Sequence, residues 1–325
     1  MYKTKEEFLN AVSEVEKNTR YIPAEVEKMR LFFRDGLWML WYKPKGTDEE
    51  CVLECRDIAA PSILARAHIA GSALSKLDND AYETVVNHCL AVNTGDIGYV
   101  TQVRDMLSAV LSDTYKYIPA YSVFKSMFEQ AGTFLYGDMD DTGFWAGMEM
   151  PKQVLGAYAS EYANMKPILE VRTSNTGHSA VNIVPKFVRG NRYGFVCGSP
   201  LSVLHKGEGN IEQVRAKLDT TFALFKQSIE KLEALKNIHV HDPVKTFTSI
   251  AHKIGVPKRL AALAREEFED EFYGTTCTAY DMYLGLTTVL EYAQSGKHGN
   301  DVRFMQNLQE IVSRALQIKN WNESA

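Results

Sequence analysis

Lys186, Arg189 and Arg192 recur at three-residue intervals in VRTSNTGHSAVNIVPKFVRGNRYGFVCG (171–198), and Tyr193 follows directly. Lys206 lies beyond the next apolar run, and Lys258 and Arg259 open a second basic stretch in HKIGVPKRLAALAR (252–265). Cations that track phosphates, interleaved with aromatic faces that take unstacked bases, are the ingredients of a single-stranded nucleic-acid surface. In that reading Lys186, Arg189, Arg192 and Lys206 neutralise phosphates, Lys258 and Arg259 form a second wall, and Tyr193 stacks. Phe187 and Phe195 alternate with the polar positions and belong to the core, because alternate residues of a strand share a face. The acidic run EEFEDEF (266–272) either pairs with the second basic stretch or, if exposed, imitates nucleic-acid charge toward a protein partner.

GDMDDTG (137–143) offers Asp138, Asp140 and Asp141 as oxygen ligands for Mg²⁺ or Ca²⁺, the chemistry of a metal-dependent nuclease. It lacks the loop length and terminal Glu of an EF-hand, and Asp with Gly is also what a hairpin tip requires. HVHDP places His239 and His241 two apart, but Asp242-Pro243 reads as a helix cap and first helical position. Cys51 and Cys55 lack a second Cys or His pair at a useful distance, so a zinc site is not indicated and the five cysteines read as reduced thiols. No phosphate-binding glycine loop, dinucleotide fingerprint, nucleophile elbow or H-E-x-x-H occurs. No catalytic residue and no cofactor is called for, and a binding protein is preferred to an enzyme.

The elements that position these residues are legible from periodicity. Thr4 with Glu7 is a capping-box pattern ahead of Phe8, Val12 and Val15 on one helical face. Pro23 reads as the start of a short helix to about Met29. Strands follow on either side of Asp35-Gly36 and over CVLECR, then helices from Pro61 and from Asp78. YVTQVRD, MLSAVLS and a hairpin over FLYGDMDDTGFWAGMEM read as strands, with a helix from Pro119 between them, and the basic ribbon adds two or three more. After Gly209 the period becomes helical: one long helix over 211–237, then helices at about 243–253, 257–271, 276–294 and 300–319. The fold class is therefore α+β. A mixed, largely antiparallel sheet part with helices spans 1–207 and an all-helical part spans 208–325, with no linker to prevent their packing as one unit.

The 325 residues carry a formal charge of −5, with 45% hydrophobic and 24% charged residues, an ordinary globular composition. That balance argues against wholesale affinity for nucleic acid or an anionic membrane but leaves a local basic stripe open. No apolar run approaches ~18 residues and MYKTKEEFLN lacks the core of a secretory signal, so a soluble intracellular protein is expected.

Several blocks resemble a family of phage- and plasmid-borne proteins catalogued as domain of unknown function nine hundred and thirty-two. LSDTYKYIPAYSVFKSMFE (111–129) is similar to its leucine-serine-aspartate-x-tyrosine block, and SNTGHSAV (174–181) to its serine-x-x-glycine-serine-alanine turn. RYGFVCGSPLSVLHKGEGN (192–210) and YGTTCTAYDMYLGLTTVLEYA (273–293) stand where that family has its cysteine-containing strand and final helix. The likeness runs over roughly residues 60–318 and departs from the family at Ala120-Tyr121 and Gly198-Ser199-Pro200. The resemblance implies a bacteriophage or mobile-element protein in the host cytoplasm. Its partners would be single-stranded DNA and phage replication or host proteins, with no membrane and with room for a homo-oligomer. Its expected role is binding single-stranded DNA in replication, recombination or annealing. The rival role is a protein-interaction or anti-defence protein without nucleic-acid activity.

Overall fold

The computed structural model describes residues 1–162, 164–189, 195–196, 201–272, 275–296 and 302–322. Helix α1 (Lys5–Lys17) begins on the expected capping box, in which the Thr4 hydroxyl accepts from the Glu7 amide. It leads into β1 (Thr19–Glu25), a 3-10 turn, β2 (Arg30–Arg34), β3 (Leu37–Tyr42) and β4 (Cys51–Cys55). After α2 (Ala60–Arg66) and α3 (Asn79–Ala91), strands β5 (Ile97–Val103) and β6 (Met106–Ser112) complete a six-stranded sheet ordered β1-β5-β6-β4-β3-β2. Its one parallel pair is β4 with β6; the other ladders are antiparallel.

Pro23 lies inside β1 rather than opening a helix. The reason is position: β1 pairs only with β5 and is an edge strand, where a residue without an N–H costs the ladder nothing. The Pro23 carbonyl still accepts from the Lys45 amide at 2.7 Å.

Helix α4 (Ala120–Phe128) precedes the second sheet, built from β7 (Thr133–Asp140), β8 (Gly143–Glu149), β9 (Met165–Thr173), β10 (Val181–Arg189) and β11 (Phe195–Val196), in the order β11-β10-β9-β8-β7. Strand β12 (Leu201–Val203) also pairs with β10, and all these ladders are antiparallel. Where one long helix was expected, two occur, α5 (Ile211–Asp219) and α6 (Thr221–Lys236). The Thr220 and Thr221 hydroxyls donate to the carbonyls of Lys217 and Leu218, both at 2.7 Å, and this local competition interrupts the helix.

The remainder is helical but not wholly so. Strand β13 (His239–Val240) precedes α7 (Pro243–Ile254) and α8 (Lys258–Phe272), and β14 (Cys277–Thr278) precedes α9 (Ala279–Ser295) and α10 (Val302–Ser313). The β13–β14 ladder ties together the N-termini of α7 and α9, which are capped by Asp242 and Thr278. The fold is α+β with one mixed and one antiparallel sheet. Among the described residues no helix is long and apolar enough to cross a membrane.

Two hydrophobic cores divide the chain unevenly. One gathers Leu31, Leu40, Val86, Leu90, Val100 and Leu107 around the first sheet. The other runs from the second sheet through α5–α10, and it also takes Phe8 and Val12 of α1. The Phe8 ring meets Phe124 edge-on at 4.8 Å and Phe128 at 6.3 Å. Thus α1 continues into an edge strand of the first sheet while its apolar face belongs to the second core. Phe8→Ala should therefore cost about 4 kcal/mol, the loss typical of an emptied aromatic site. Urea denaturation will read it, and a loss below about 1 kcal/mol would show that α1 is not held there.

Candidate functional site

In the loop joining β9 to β10, residues 174–180, Ser174, Asn175 and Thr176 are buried, which is unusual for a hairpin connection. Several of its backbone groups are met from within the loop and from the segments bordering the first sheet. The Ser174 hydroxyl accepts from the amides of Thr176 at 3.2 Å and His178 at 3.3 Å, and lies 3.0 Å from the Thr176 hydroxyl. The Tyr21 hydroxyl, from β1, donates to the Asn175 carbonyl at 2.8 Å, and the Tyr115 hydroxyl donates to the Ser174 carbonyl at 3.4 Å. Gly177 has φ +73°, a backbone conformation that favours glycine, and a Cβ there would press on the Leu111 side chain of β6 at 2.5 Å. Burial, reinforced by the neighbouring Tyr115, Tyr117 and Glu16, pushes the Tyr21 hydroxyl far above its ordinary pKa, so it stays a donor.

Cavities flank this loop on two sides, with Thr176 lining both. The larger is a cleft of about 470 Å³ between α2, the end of β6 and the segment after β12. Its cations are Arg66 and Lys206, accompanied by hydroxyls including Ser62, Ser112, Thr114 and Ser179, and no carboxylate stands among its described lining. Lys206 is exposed and its backbone bridges to Tyr115. The Arg66 Nε is buried without a protein partner among the described residues.

At the same place His205 stacks on Tyr115, rings 5.2 Å apart and 9° from parallel, and its Nδ1 lies 3.1 Å from the Lys116 carbonyl. Burial lowers its pKa, opposed by that backbone contact, so the imidazole is neutral at pH 7 and Nδ1 carries the proton it gives to Lys116. Such a cleft attracts an anion without competing negative charge and offers hydroxyls to phosphate oxygens.

The smaller cavity, about 240 Å³, lies between the β5–β6 turn, the β7–β8 tip and the buried loop. Asp138, Asp140 and Asp141, the expected metal candidates, are each committed elsewhere. Asp140 Oδ1 accepts from the Thr142 amide at 2.7 Å, its hydroxyl at 2.6 Å and the Gly143 amide at 3.1 Å, an Asx turn closing the hairpin. Asp141 pairs with Arg56, and Asp138 faces the terminal ammonium of Met1 at 3.2 Å. Among the described residues no three His, Cys, Asp or Glu converge to hold a metal.

The basic ribbon is not assembled as a phosphate surface at Lys186. That ammonium lies 2.7 Å from Glu170 on the adjacent strand and is only 11% exposed. Arg172 meets the same carboxylate at 2.6 Å, and the Tyr136 hydroxyl also donates to it. Gly147, paired with Glu170 across β8 and β9, leaves room for this, because a Cβ would lie 2.4 Å from the Tyr136 ring.

Arg189 ends β10 and its side chain lies outside the described residues, as do Arg192 and Tyr193. Lys258 and Arg259 are exposed on the first turn of α8, and neither lines the cleft at Lys206. Arg265 pairs with Glu269 at 3.8 Å, as the adjacent acidic run allowed. Phe187 is buried edge-on against Phe225. Lys206 is thus the one predicted contact found in a cleft among the described residues.

Arg66, Asn175 and Ser108 were not anticipated. For Asn175 the available signal was SNTGHSA (174–180), a hairpin connection without one Asp, Glu, Lys or Arg, where a solvated tip ordinarily carries charge. The chain matches no protein-family model, no curated protein and no solved structure.

Burial raises the pKa of Glu170, but Lys186 and Arg172, with hydrogen bonds from Lys186 and Tyr136, outweigh it and hold the carboxyl at about 2. Its contribution to stability is complete above the ordinary value of 4.5 and is lost as pH falls toward 2. Glu170→Gln should cost about 3 kcal/mol at pH 7, since it strands two partly buried cations. It should also flatten the acid limb of the stability profile, as measured by urea denaturation from pH 7 to pH 2.5.

Proposed function

We propose that this chain is a non-enzymatic accessory protein of phage DNA metabolism that binds single-stranded DNA in the host cytoplasm. The observation that carries the reading is the cleft at Lys206. It combines Arg66, Lys206 and several hydroxyls without a carboxylate in its described lining, in a protein whose overall charge is negative. A surface that merely solvates the fold would intersperse both signs, as the helix surfaces of this chain do.

The described cleft is one station on the strand's path. Exposed Lys206 and half-buried Arg66 engage phosphate oxygens, and the hydroxyls of Ser62, Ser112, Thr114 and Ser179 supply uncharged contacts to the backbone. Lys186 has no part in this, since Glu170 already neutralises it. The mobile-element context rests on the resemblance of residues 60–318 to the phage and plasmid family.

Polarisation titrations of a fluorescent oligonucleotide at a series of salt concentrations test the reading. The log–log slope should be about −0.7 per phosphate neutralised. Lys206→Gln should weaken binding uniformly across sequences and reduce that slope by about 0.7, leaving the melting temperature unchanged. Absence of binding at low salt would sink the proposal.

A further inference from the structure

We infer that the smaller cavity, on the other side of the buried loop from the cleft, receives one unstacked nucleobase of the bound strand. The inference rests on the strand-binding reading for the identity of its ligand, but its geometry is separate. Asn175 is 3% exposed, and neither Oδ1 nor Nδ2 has a protein partner among the described residues. Ser108 is 1% exposed and its hydroxyl is likewise unpartnered, as is the Arg56 Nε. All three residues line the same 240 Å³ space.

A buried carboxamide that bonds to nothing costs free energy, so its position demands an account. The Asn175 backbone carbonyl is fixed by Tyr21 and the loop by Ser174, so the backbone that carries the side chain is held at the cavity wall. A carboxamide presents one donor and one acceptor side by side, and that pair is the complement of a nucleobase edge. Phe144 and Met139 supply apolar surface for the faces of a planar ring, the arrangement by which proteins hold a base taken out of its stack.

The charges at the cavity agree with an uncharged occupant. Arg56 and Arg104 are matched by Asp140 and Asp141, with Arg56 paired directly to Asp141. Two cations against two carboxylates give no net attraction for phosphate, in contrast to the carboxylate-free cleft. The two cavities thus divide the chemistry of a nucleotide: charge on the side of Lys206, a neutral hydrogen-bonding edge on the side of Asn175.

The test compares an oligonucleotide with the same backbone carrying abasic sites, by polarisation against the full chain. The intact strand should bind about tenfold tighter. Asn175→Leu should erase that difference while leaving the salt slope intact. Because it removes an unpaired buried amide it should not lower the melting temperature, and Ser108→Ala, a smaller change, should narrow the same difference. Lys206→Gln, in contrast, should weaken intact and abasic strands alike.

Equal affinity for intact and abasic strands overturns the base pocket while sparing the cleft, and the cavity then holds only solvent. If neither strand binds, the strand-binding reading falls. Saturation-transfer NMR with free adenosine and cytidine then decides the pocket alone: a signal that Asn175→Leu abolishes sustains it, and no signal overturns it.

Discussion

Three small uncharged polar residues of one hairpin connection, Ser174, Asn175 and Thr176, are buried beside the first sheet, and much of the structure around them serves to satisfy their backbone. A buried backbone amide or carbonyl without a partner costs as much as a lost hydrogen bond. Ser174 therefore turns its hydroxyl back onto the loop's own amides, and Tyr21 and Tyr115 reach in from the segments bordering the first sheet. Burial in turn keeps both phenols protonated. Among the described groups left without a protein partner, the side chains of Asn175 and Ser108 and the Arg56 Nε lie on one cavity.

Charge in this protein follows the same economy of place. The outer face of the second sheet holds a carboxylate between two cations, with a tyrosine hydroxyl completing its shell. Lys186, the most conspicuous cation of the ribbon, is structural there. Lys206 lies only a short way along the chain, but its segment runs beside Tyr115 and faces a cleft whose described lining contains no acid. Neighbouring sequence positions thus have opposite availability, and the difference arises from which strand lies next to each.

The elements legible in the sequence were those with a local cause. The capping box at Thr4, the Asp78 and Asp242 caps and the Asx turn at Asp140 each depend on residues within one turn. Pro23 misled because its meaning depends on whether the strand around it is an edge, which is a property of sheet order. The 211–237 stretch has an unbroken apolar period, and only the back-bonding of Thr220 and Thr221 divides it. The two-residue ladder of His239–Val240 with Cys277–Thr278 is too short to leave a period. Of the site, the positive charge at Lys206 could be read, but its freedom from acids could not. Asn175 and Ser108 gave no signal individually, because an Asn in a turn is ordinary until the turn is found buried.

Helix α1 makes contacts whose consequences appear in time rather than in space. It leads directly into the first sheet, yet Phe8 is seated among Phe124, Phe128 and the backbone of β7. A ribosome delivers this helix long before its socket. The first sheet can form while α1 waits, its apolar face exposed to chaperones or to other nascent chains. Docking of that early-made segment against α4 and β7 joins the two cores.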